Sequence, residues 1–133
     1  MKYTLDTNVC IRIINGRSPE ARTQLRSVPS GDVTVCSIVR AELWYGAAKS
    51  QTPEASRRKQ DLFLKPFATL PFDDQVAAHY AVIRARLERQ GTPIGSLDMQ
   101  IAAIAMANDL ILVTHNTAEF ARIPDLQIED WQT

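Results

Sequence analysis

Short apolar runs alternate with longer amphipathic segments along the whole chain, and this alternation predicts strands and helices in turn. Apolar or β-branched runs bounded by polar and turn residues predict strands at residues 2–5, 33–36, 69–72, 110–114 and 126–128. The 110–114 run is apolar almost throughout, which is typical of a strand in a parallel sheet that is covered on both faces.

Helical spacing and capping residues predict six helices between these strands. Asp6 and its polar neighbours are good caps for the first helix, Ser37 caps the third, and Asp73 starts the fifth. The last helix is apolar on nearly all sides from Ile101 onward, so we expect it at the centre of the fold. The predicted helices cover residues 8–14, 19–28, 37–48, 53–67, 73–90 and 96–108.

The alternation of strands and helices predicts an α/β fold of three layers, with helices on both faces of a mostly parallel sheet. The chain has 133 residues, of which 45% are hydrophobic and 23% charged, and this composition fits one globular domain. In parallel sheets of this kind, functional groups gather beyond the carboxyl ends of the strands. That edge is therefore where we look for chemistry.

Acidic and amide side chains collect at this edge. Asp6 ends the first strand, Glu42 lies on the helix after the second, and Asp98 lies in the first turn of the central helix. Asn116 and Glu119 lie just past the 110–114 strand. No basic residue is placed to pair with Asp6, Glu42 or Asp98 along a helix. We therefore expect the acids to face one another rather than counter-ions.

Clustered carboxylates cannot all stay ionised without a cation, and a site made only of oxygen atoms favours Mg²⁺ or Mn²⁺. Metal-dependent hydrolysis is accordingly the leading hypothesis. The hydroxyls of Thr7, Ser37 and Thr114 are suited to hydrogen bonds that fix the carboxylates. Zinc would need a tight cluster of cysteine and histidine, and the chain has two of each with no such cluster.

Each acid also has a purely structural explanation. Asp6 serves as a helix N-cap, and Asp98 is a favourable charge near a helix N-terminus. Glu42 is harder to explain in this way, because its neighbours at helical spacing are apolar or small. Asn116 is a common turn residue, and Glu119 fits a surface helix. The functional reading rests on their joint occurrence at one edge.

The charge balance limits the partners. Lysine plus arginine equals aspartate plus glutamate at 15 each, so any contact with nucleic acid must be local. Arg12, Arg40 and Lys49 are candidates for holding an RNA backbone by position alone, whereas residues 57–59 (Arg-Arg-Lys) fit a solvated helix face. The pair Trp44-Tyr45 fits core or subunit interface better than base stacking.

Two cysteines make no disulfide framework, and Cys10 and Cys36 are better explained as buried reduced thiols than as catalytic ones. The chain starts with no signal-peptide pattern, and its longest apolar stretch, residues 101–107, is too short to span a bilayer. These features predict a cytoplasmic protein that does not act at a membrane.

Four motifs in order resemble those of the PIN-domain ribonucleases, and within them the VapC toxins of bacterial toxin–antitoxin pairs. They are Leu5-Asp6-Thr7-Asn8; residues 37–43 followed by Tyr45-Gly46; Pro93-Ile94-Gly95 with Asp98 and residues 101–103; and Thr114-His115-Asn116 with Glu119-Phe120. The resemblance covers the whole chain and implies a single PIN domain over residues 1–133.

The resemblance further implies an endoribonuclease that depends on Mg²⁺ or Mn²⁺, forms a homodimer and is inhibited by a small VapB-type antitoxin. Its substrate would be a structured cellular RNA such as tRNA or rRNA, cut in an unpaired loop. Asp6, Glu42 and Asp98 take the metal-binding acidic positions. Many family members have an aspartate at the position of Asn116, so the fourth ligand is either the Asn116 amide oxygen or Glu119.

Two other functions fit parts of the pattern. Asp6 at a strand end would suit the nucleophile of an aspartyl-phosphate phosphatase, but such enzymes usually carry a second acid where this chain has Asn8. A catalytically inactive PIN domain that only binds a partner is the second alternative, and the asparagine at position 116 is its sole support.

Overall fold

A computed structural model describes residues 1–132 of the chain. The helices are α1 (Thr7–Ile14), α2 (Pro19–Arg26), α3 (Ser37–Ala48), α4 (Pro53–Leu64), α5 (Asp74–Gln90), α6 (Ser96–Ala107) and α7 (Thr117–Phe120), with a 3₁₀ turn at Ser30–Asp32. The strands are β1 (Tyr3–Leu5), β2 (Val33–Thr34), β3 (Ile111–Val113) and β4 (Ile128–Glu129).

The four strands form one sheet in the order β2-β1-β3-β4, and every neighbouring pair is parallel. Thr4 lies at the centre of the register, opposite Thr34 on one side and Leu112 on the other. The connections from β1 to β2 and from β2 to β3 run in opposite directions along the sheet, so right-handed crossovers place helices on both faces. The predicted α/β architecture is confirmed, and the sheet is wholly parallel.

The predicted third strand at residues 69–72 is wrong. The one isolated parallel bridge in this region joins Thr34 to Ala68, the residue just before the segment. Two backbone hydrogen bonds reach it, from Val35 N to Ala68 O (3.0 Å) and from Ser37 N to Leu70 O (2.9 Å). Pro71 has no N–H to continue such a ladder. The segment therefore lies beside β2 without becoming a strand.

Several predicted boundaries also move. The helix predicted to residue 28 ends at Arg26, the one predicted to residue 67 ends at Leu64, and the strand predicted at 33–36 ends at Thr34. Ser37 does not cap α3: the N-cap is Cys36, whose side chain makes no capping bond. The four-residue α7 was not predicted, because one turn is too short for a periodic pattern.

Helix ends otherwise follow their capping residues. The Asp73 carboxylate accepts from Val76 N at 3.0 Å, which confirms it as the N-cap of α5. Gly91 ends the same helix with φ of +68°, a left-handed conformation that glycine adopts without strain. The predicted caps thus set the length of α5.

Helix α6 lies at the centre of the core, as its composition predicts. Its residues Ile101 to Ala105 are fully buried, and it packs along α5 and against α3 and β3. Leu5 and Leu112 from the two central strands are also fully buried. One turn of α6 therefore contacts both the sheet and neighbouring helices, which fixes the position of its N-terminal turn.

The sheet brings the ends of distant segments together. Asp6 N, just past β1, donates to Val113 O at the end of β3 (2.9 Å), and Ser37 begins α3 just past the end of β2. All these segments lie at the carboxyl edge of the sheet. Across residues 1–132, the chain has no helix both long and apolar enough to cross a membrane.

Shortening a side chain in the middle of α6 tests its central role. We expect Ile104→Ala to lower the free energy of unfolding by about 2–5 kcal/mol, because it leaves a cavity where a fully buried side chain packed. Val82→Ala removes an aliphatic side chain that is 59% exposed on α5 and should change it by less than about 0.5 kcal/mol. Urea unfolding followed by circular dichroism measures both, and equal small effects would show that α6 is not the core helix.

Candidate active site

Four carboxylates from four different elements lie at the carboxyl edge of the sheet. Asp6 follows β1, Glu42 is in the middle of α3, Asp98 is in the first turn of α6, and Glu119 is in α7. Their charges act on one another: Glu42 and Glu119 raise the pKa of Asp6, while Asp6, Glu119 and Glu42 raise that of Asp98. The structure therefore brings together the acids that the sequence placed at one edge.

Asp6 is the buried centre of this group, with only 6% of its surface exposed. Its Oδ1 accepts from the backbone N–H of Thr7 (2.8 Å), as an N-cap does, and its Oδ2 accepts from the Thr114 hydroxyl (2.8 Å). Burial raises the pKa of Asp6 most, the Glu42 and Glu119 charges raise it further, and the two hydrogen bonds oppose the rise. Capping and a place in the site are thus compatible roles of one residue.

Thr7 links two of the acids. Its backbone N–H binds Asp6, and its hydroxyl donates to Glu42 Oε1 at 2.8 Å. Thr114 has the same kind of role, since its hydroxyl binds Asp6 and also accepts from the backbone N–H of Asn116 (3.0 Å). Within residues 1–132 the Ser37 hydroxyl makes no bond to these carboxylates, so its orienting role stays a prediction.

Asp98 carries the clearest electrostatic signature. Burial, and then the charges of Asp6, Glu119 and Glu42, raise its pKa to about 6. Gly95, the residue directly before α6, lies close by: a Cβ there would sit 3.6 Å from Asp98 Oδ2. An acid with this pKa is partly protonated near neutral pH, because no positive charge compensates it.

Asn116 and Glu119 lie together on the same rim. Asn116 Nδ2 donates to Glu119 Oε2 at 2.6 Å, and the backbone N–H of Gly95 reaches Glu119 Oε1 at 3.4 Å. Asn116 therefore orients a carboxylate where an aspartate would repel it. This arrangement favours Glu119 over the Asn116 amide oxygen as the fourth candidate ligand.

Among residues 1–132, no positive side chain forms an ion pair with the four acids. Asp6, Glu42, Asp98 and Glu119 are absent from the ion pairs formed within residues 1–132. In the same part of the chain, no three acid, histidine or cysteine side chains are close enough to form a ready-made metal site. Repulsion between uncompensated carboxylates accounts for the second fact, because it favours a larger distance between them.

Arg40 is not available to hold RNA, contrary to the sequence interpretation. Its guanidinium donates to Val35 O (3.0 Å) and to Phe67 O (3.0 Å). It joins the end of β2 to the segment after α4 and is a structural residue. Lys49 instead lies 4.7 Å from the centre of the Tyr45 ring. Tyr45 is 65% exposed, so it is not a core residue, and its place at a subunit interface stays a prediction.

The remaining sequence candidates are consistent with structural roles. Arg57 lies 4.0 Å from the Trp44 ring centre and pairs with Asp61, in line with a solvated helix face. Cys10 and Cys36 are buried and free; burial raises the pKa of Cys36 to about 11 and that of Cys10 still further. Neither thiol is ionised at neutral pH, which agrees with their predicted lack of a catalytic role.

A polar cleft beside Asp6 contains residues that the sequence interpretation missed. Arg12, a predicted RNA contact, lines it together with Arg17, His115 and Gln132. Arg17 and Gln132 belong to no motif, and only contacts between the two ends of the chain bring them here. His115 stands in the fourth motif, directly after Thr114, but the motif by itself gave it no role.

Comparisons with known proteins agree with this site. A family model described as PIN domain matches residues 3–126. The chain is 40% identical over 131 residues to the tRNA(fMet)-specific endonuclease VapC of Shigella flexneri, covering 98% of each protein. It is 38% identical over 132 residues to Ribonuclease VapC2 of Rickettsia felis, again over 98% of each.

Solved structures resemble the fold closely. A toxin chain in DNA-bound VapBC from Salmonella typhimurium superposes with a TM-score of 0.93 at 40% identity, over 98% of both chains. VapBC-1 from nontypeable Haemophilus influenzae gives a TM-score of 0.90 at 35% identity over the full length of both chains. The chain therefore belongs to the PIN-domain family and, within it, to the VapC ribonucleases of bacterial toxin–antitoxin pairs.

Proposed function

We propose that this ribonuclease depends on Mg²⁺ or Mn²⁺ held by Asp6, Glu42 and Asp98, with Glu119 as a fourth acid. One observation supports this most directly: four carboxylates share one sheet edge, burial and the neighbouring acidic charges raise the pKa of Asp6 and of Asp98, and none of the four forms an ion pair within residues 1–132. Donors that are all oxygen and carry formal negative charge fit a hard divalent ion. Such an ion would also remove the repulsion that keeps the acids apart.

When bound, the ion would lower the pKa of a water molecule and stabilise charge on the phosphate that the water attacks. The chain's own residues prepare the site for it. Thr7 and Thr114 hold Asp6 and Glu42 through hydroxyl hydrogen bonds of 2.8 Å, so these carboxylates keep one orientation. Asn116 holds Glu119 in the same way.

We further propose a tRNA as the substrate, with initiator tRNA as the first candidate. The support is the similarity over 98% of the chain to a VapC named for its action on tRNA(fMet). Bases in unpaired loops are accessible, and a protein without net charge needs local contacts to reach them.

Inhibition by a VapB-type antitoxin is also part of the proposal. Several of the similar structures are toxin–antitoxin complexes, and those from Salmonella typhimurium and Rickettsia felis were solved with DNA. An arginine from such a partner, with its bidentate geometry, would suit the uncompensated acids. Homodimerisation and a cytoplasmic location stay predictions that rest on the family resemblance.

The phosphatase alternative is weakened by the surroundings of Asp6. Phosphatases of this kind usually carry a second acid two residues after the nucleophile, and this chain has Asn8 there, while the Asp6 carboxylate caps α1 and is tied to Thr114. The inactive-domain alternative rested on Asn116, which here orients Glu119. Titration with Mn²⁺ distinguishes this alternative from the proposal, because an inactive domain should not bind the ion at this edge.

Removing one carboxylate tests the metal proposal. We expect Asp98→Asn to lower the rate of cleavage of labelled tRNA(fMet) in Mn²⁺ at least about 100-fold, because a bound metal ion lowers the activation free energy by several kcal/mol. Asp109→Asn makes the same change just beyond the other end of α6 and should cleave normally. Undiminished cleavage by the parent protein in excess chelator would overturn the proposal.

A hydroxyl deletion tests the orienting role of Thr7. We expect Thr7→Val to reduce cleavage and Mn²⁺ affinity about 10- to 100-fold, because Glu42 loses its hydrogen bond. Thr7→Ser keeps the hydroxyl and should retain most of both. Calorimetric titration with Mn²⁺ and a cleavage assay measure the two effects, and equal losses in both variants would point to packing instead.

The raised pKa of Asp98 predicts a pH-dependent stability difference in metal-free protein. The Asp98 carboxyl has a pKa near 4 in the unfolded chain and about 6 in the folded protein. The free energy of unfolding therefore falls as the pH rises between these two values, because the folded state binds the proton more tightly. At pH 7.5, the free energy of unfolding of Asp98→Asn should therefore exceed that of the parent by about 1–2 kcal/mol, a value reduced because the side chain is partly exposed to solvent. The difference should vanish near pH 4.

Glu54→Gln is the matched control for this measurement. Glu54 lies in the first turn of α4, as Asp98 does in α6, but it is exposed and favoured by the helix dipole. Its removal should slightly lower stability at pH 7.5. If urea unfolding in chelator gives the same sign for both variants, the acids do not repel one another as described.

A further inference from the structure

The polar cleft beside Asp6 has no role in the chemistry described above. Its volume is about 480 Å³, which is within the range of small-ligand sites, roughly 300–1,000 Å³. Asp6 and Asn116 are among its lining residues, so the cleft adjoins the candidate active site. Eight residues line it: Asp6, Asn8, Ile11, Arg12, Arg17, His115, Asn116 and Gln132.

Two arginines form one wall of the cleft. The backbone N–H of Arg17 donates to Arg12 O (2.8 Å), and Arg12 Nη2 donates back to Arg17 O (3.2 Å), so the short loop after α1 is closed on itself. Gly16 permits this loop by taking φ of +67°. The two guanidinium groups are therefore attached to one compact turn.

Neither arginine has an acidic partner among residues 1–132. Most other basic groups with described contacts are occupied: Arg40 by backbone carbonyls, Arg57 by Asp61 and Arg84 by Glu88. In a chain with no net charge, two uncompensated arginines at the mouth of an acidic site form a local anion-binding surface.

Asp130 holds two other lining residues, His115 and Gln132, in place. Its Oδ2 binds His115 Nδ1 at 2.9 Å, and its Oδ1 accepts from the backbone N–H of Gln132 at 2.8 Å. Gln132 Nε2 is buried and has no hydrogen-bond partner within residues 1–132. An unpaired buried donor costs free energy unless a ligand supplies an acceptor.

We propose that this cleft binds the RNA nucleotide next to the scissile phosphate. Arg12 and Arg17 bind its backbone phosphate, and Gln132 with His115 contacts its sugar or base. The inference rests on the proposed ribonuclease function and adds the part of the substrate that the chain itself holds. It assigns the contact with RNA to the turn after α1 and the C-terminal segment, instead of the basic stretch on α4.

RNA fits this cleft better than a peptide does. A phosphodiester gives each arginine an anionic oxygen, and a sugar or base edge offers acceptors to an amide donor. Since a phosphate must in any case approach the acids for cleavage, a basic turn beside them holds the adjoining phosphate.

The test measures RNA affinity in the Asp98→Asn background, where the RNA survives. The probes are labelled tRNA(fMet) and a labelled single-stranded oligoribonucleotide, titrated at several salt concentrations. We expect Arg12→Gln and Arg17→Gln each to raise the Kd about 5- to 10-fold for at least one probe. The double variant should reduce the steepness of log K against log salt by about 0.7, the value for one phosphate of a single strand.

Arg26→Gln is the control with the same change of charge. Arg26 is exposed in the last turn of α2, which leads to the amino end of β2, away from the cleft. It should change the Kd less than twofold. An equal loss in all three single variants would overturn the proposal, because it would show a general charge effect.

Gln132→Leu separately tests the proposed contact between Gln132 and the sugar or base. We expect it to raise the Kd about threefold without changing the salt dependence, since no charge is removed. If Nε2 binds nothing, the leucine variant should bind RNA like its parent and be more stable, and this result would overturn the assignment of Gln132.

The outcomes separate this inference from the proposed function. If Asp98 and metal are needed for cleavage but the double arginine variant binds RNA like its parent, only the cleft assignment fails. The same holds if the variants alter affinity for the antitoxin alone. If the parent protein neither binds nor cleaves RNA, the proposed function and the cleft assignment fail together.

Discussion

Repulsion among carboxylates is the constraint on which the functional edge of this protein depends. Asp6 is buried beside Glu42 and Glu119, and burial together with their charges raises its pKa. Asp98 experiences the same environment strongly enough that its pKa is about 6. Gathering these groups without a compensating basic side chain lowers the stability of the fold, which is typical of functional sites.

The rest of the molecule holds these groups in spite of the repulsion. The first and third strands end side by side, so Thr114 reaches Asp6 across the sheet edge with a hydrogen bond of 2.8 Å. Thr7 does the same for Glu42 from the start of α1. Helix α6, buried along its middle, carries Asp98 on a turn that cannot move independently of the core. Packing and a few hydroxyl groups thus provide the orientation that a metal site requires.

Most of the arginines with described contacts have a structural partner. The chain has as many acids as bases, and many of its arginines are tied to carbonyls or to neighbouring acids. Arg12 and Arg17 differ because they share a closed turn at the mouth of the site. This placement offers a polyanion one local point of attachment beside the acids, without a basic surface that would bind nucleic acids in general.

The sequence by itself determined the fold class, the central place of α6 and the edge at which Asp6, Glu42, Asp98 and Glu119 meet. The periodicity of apolar residues and the succession of strands and helices along the chain can be read from local sequence, and the carboxyl ends of parallel strands necessarily share one edge. It could not show that residues 69–72 remain outside the sheet, since that depends on how far neighbouring backbones run together. Nor could it separate Arg40 from Arg12, because a guanidinium is structural or available according to which carbonyls and acids surround it.

Tertiary structure alone decided the partners of individual side chains. Thr114 binds Asp6 across 108 positions of sequence, and His115 and Gln132 reach the cleft through Asp130 near the end of the chain. Such pairings depend on distances of a few ångströms between remote segments. A pattern of residue types along the chain carries no information at that precision, and only the packed fold supplies it.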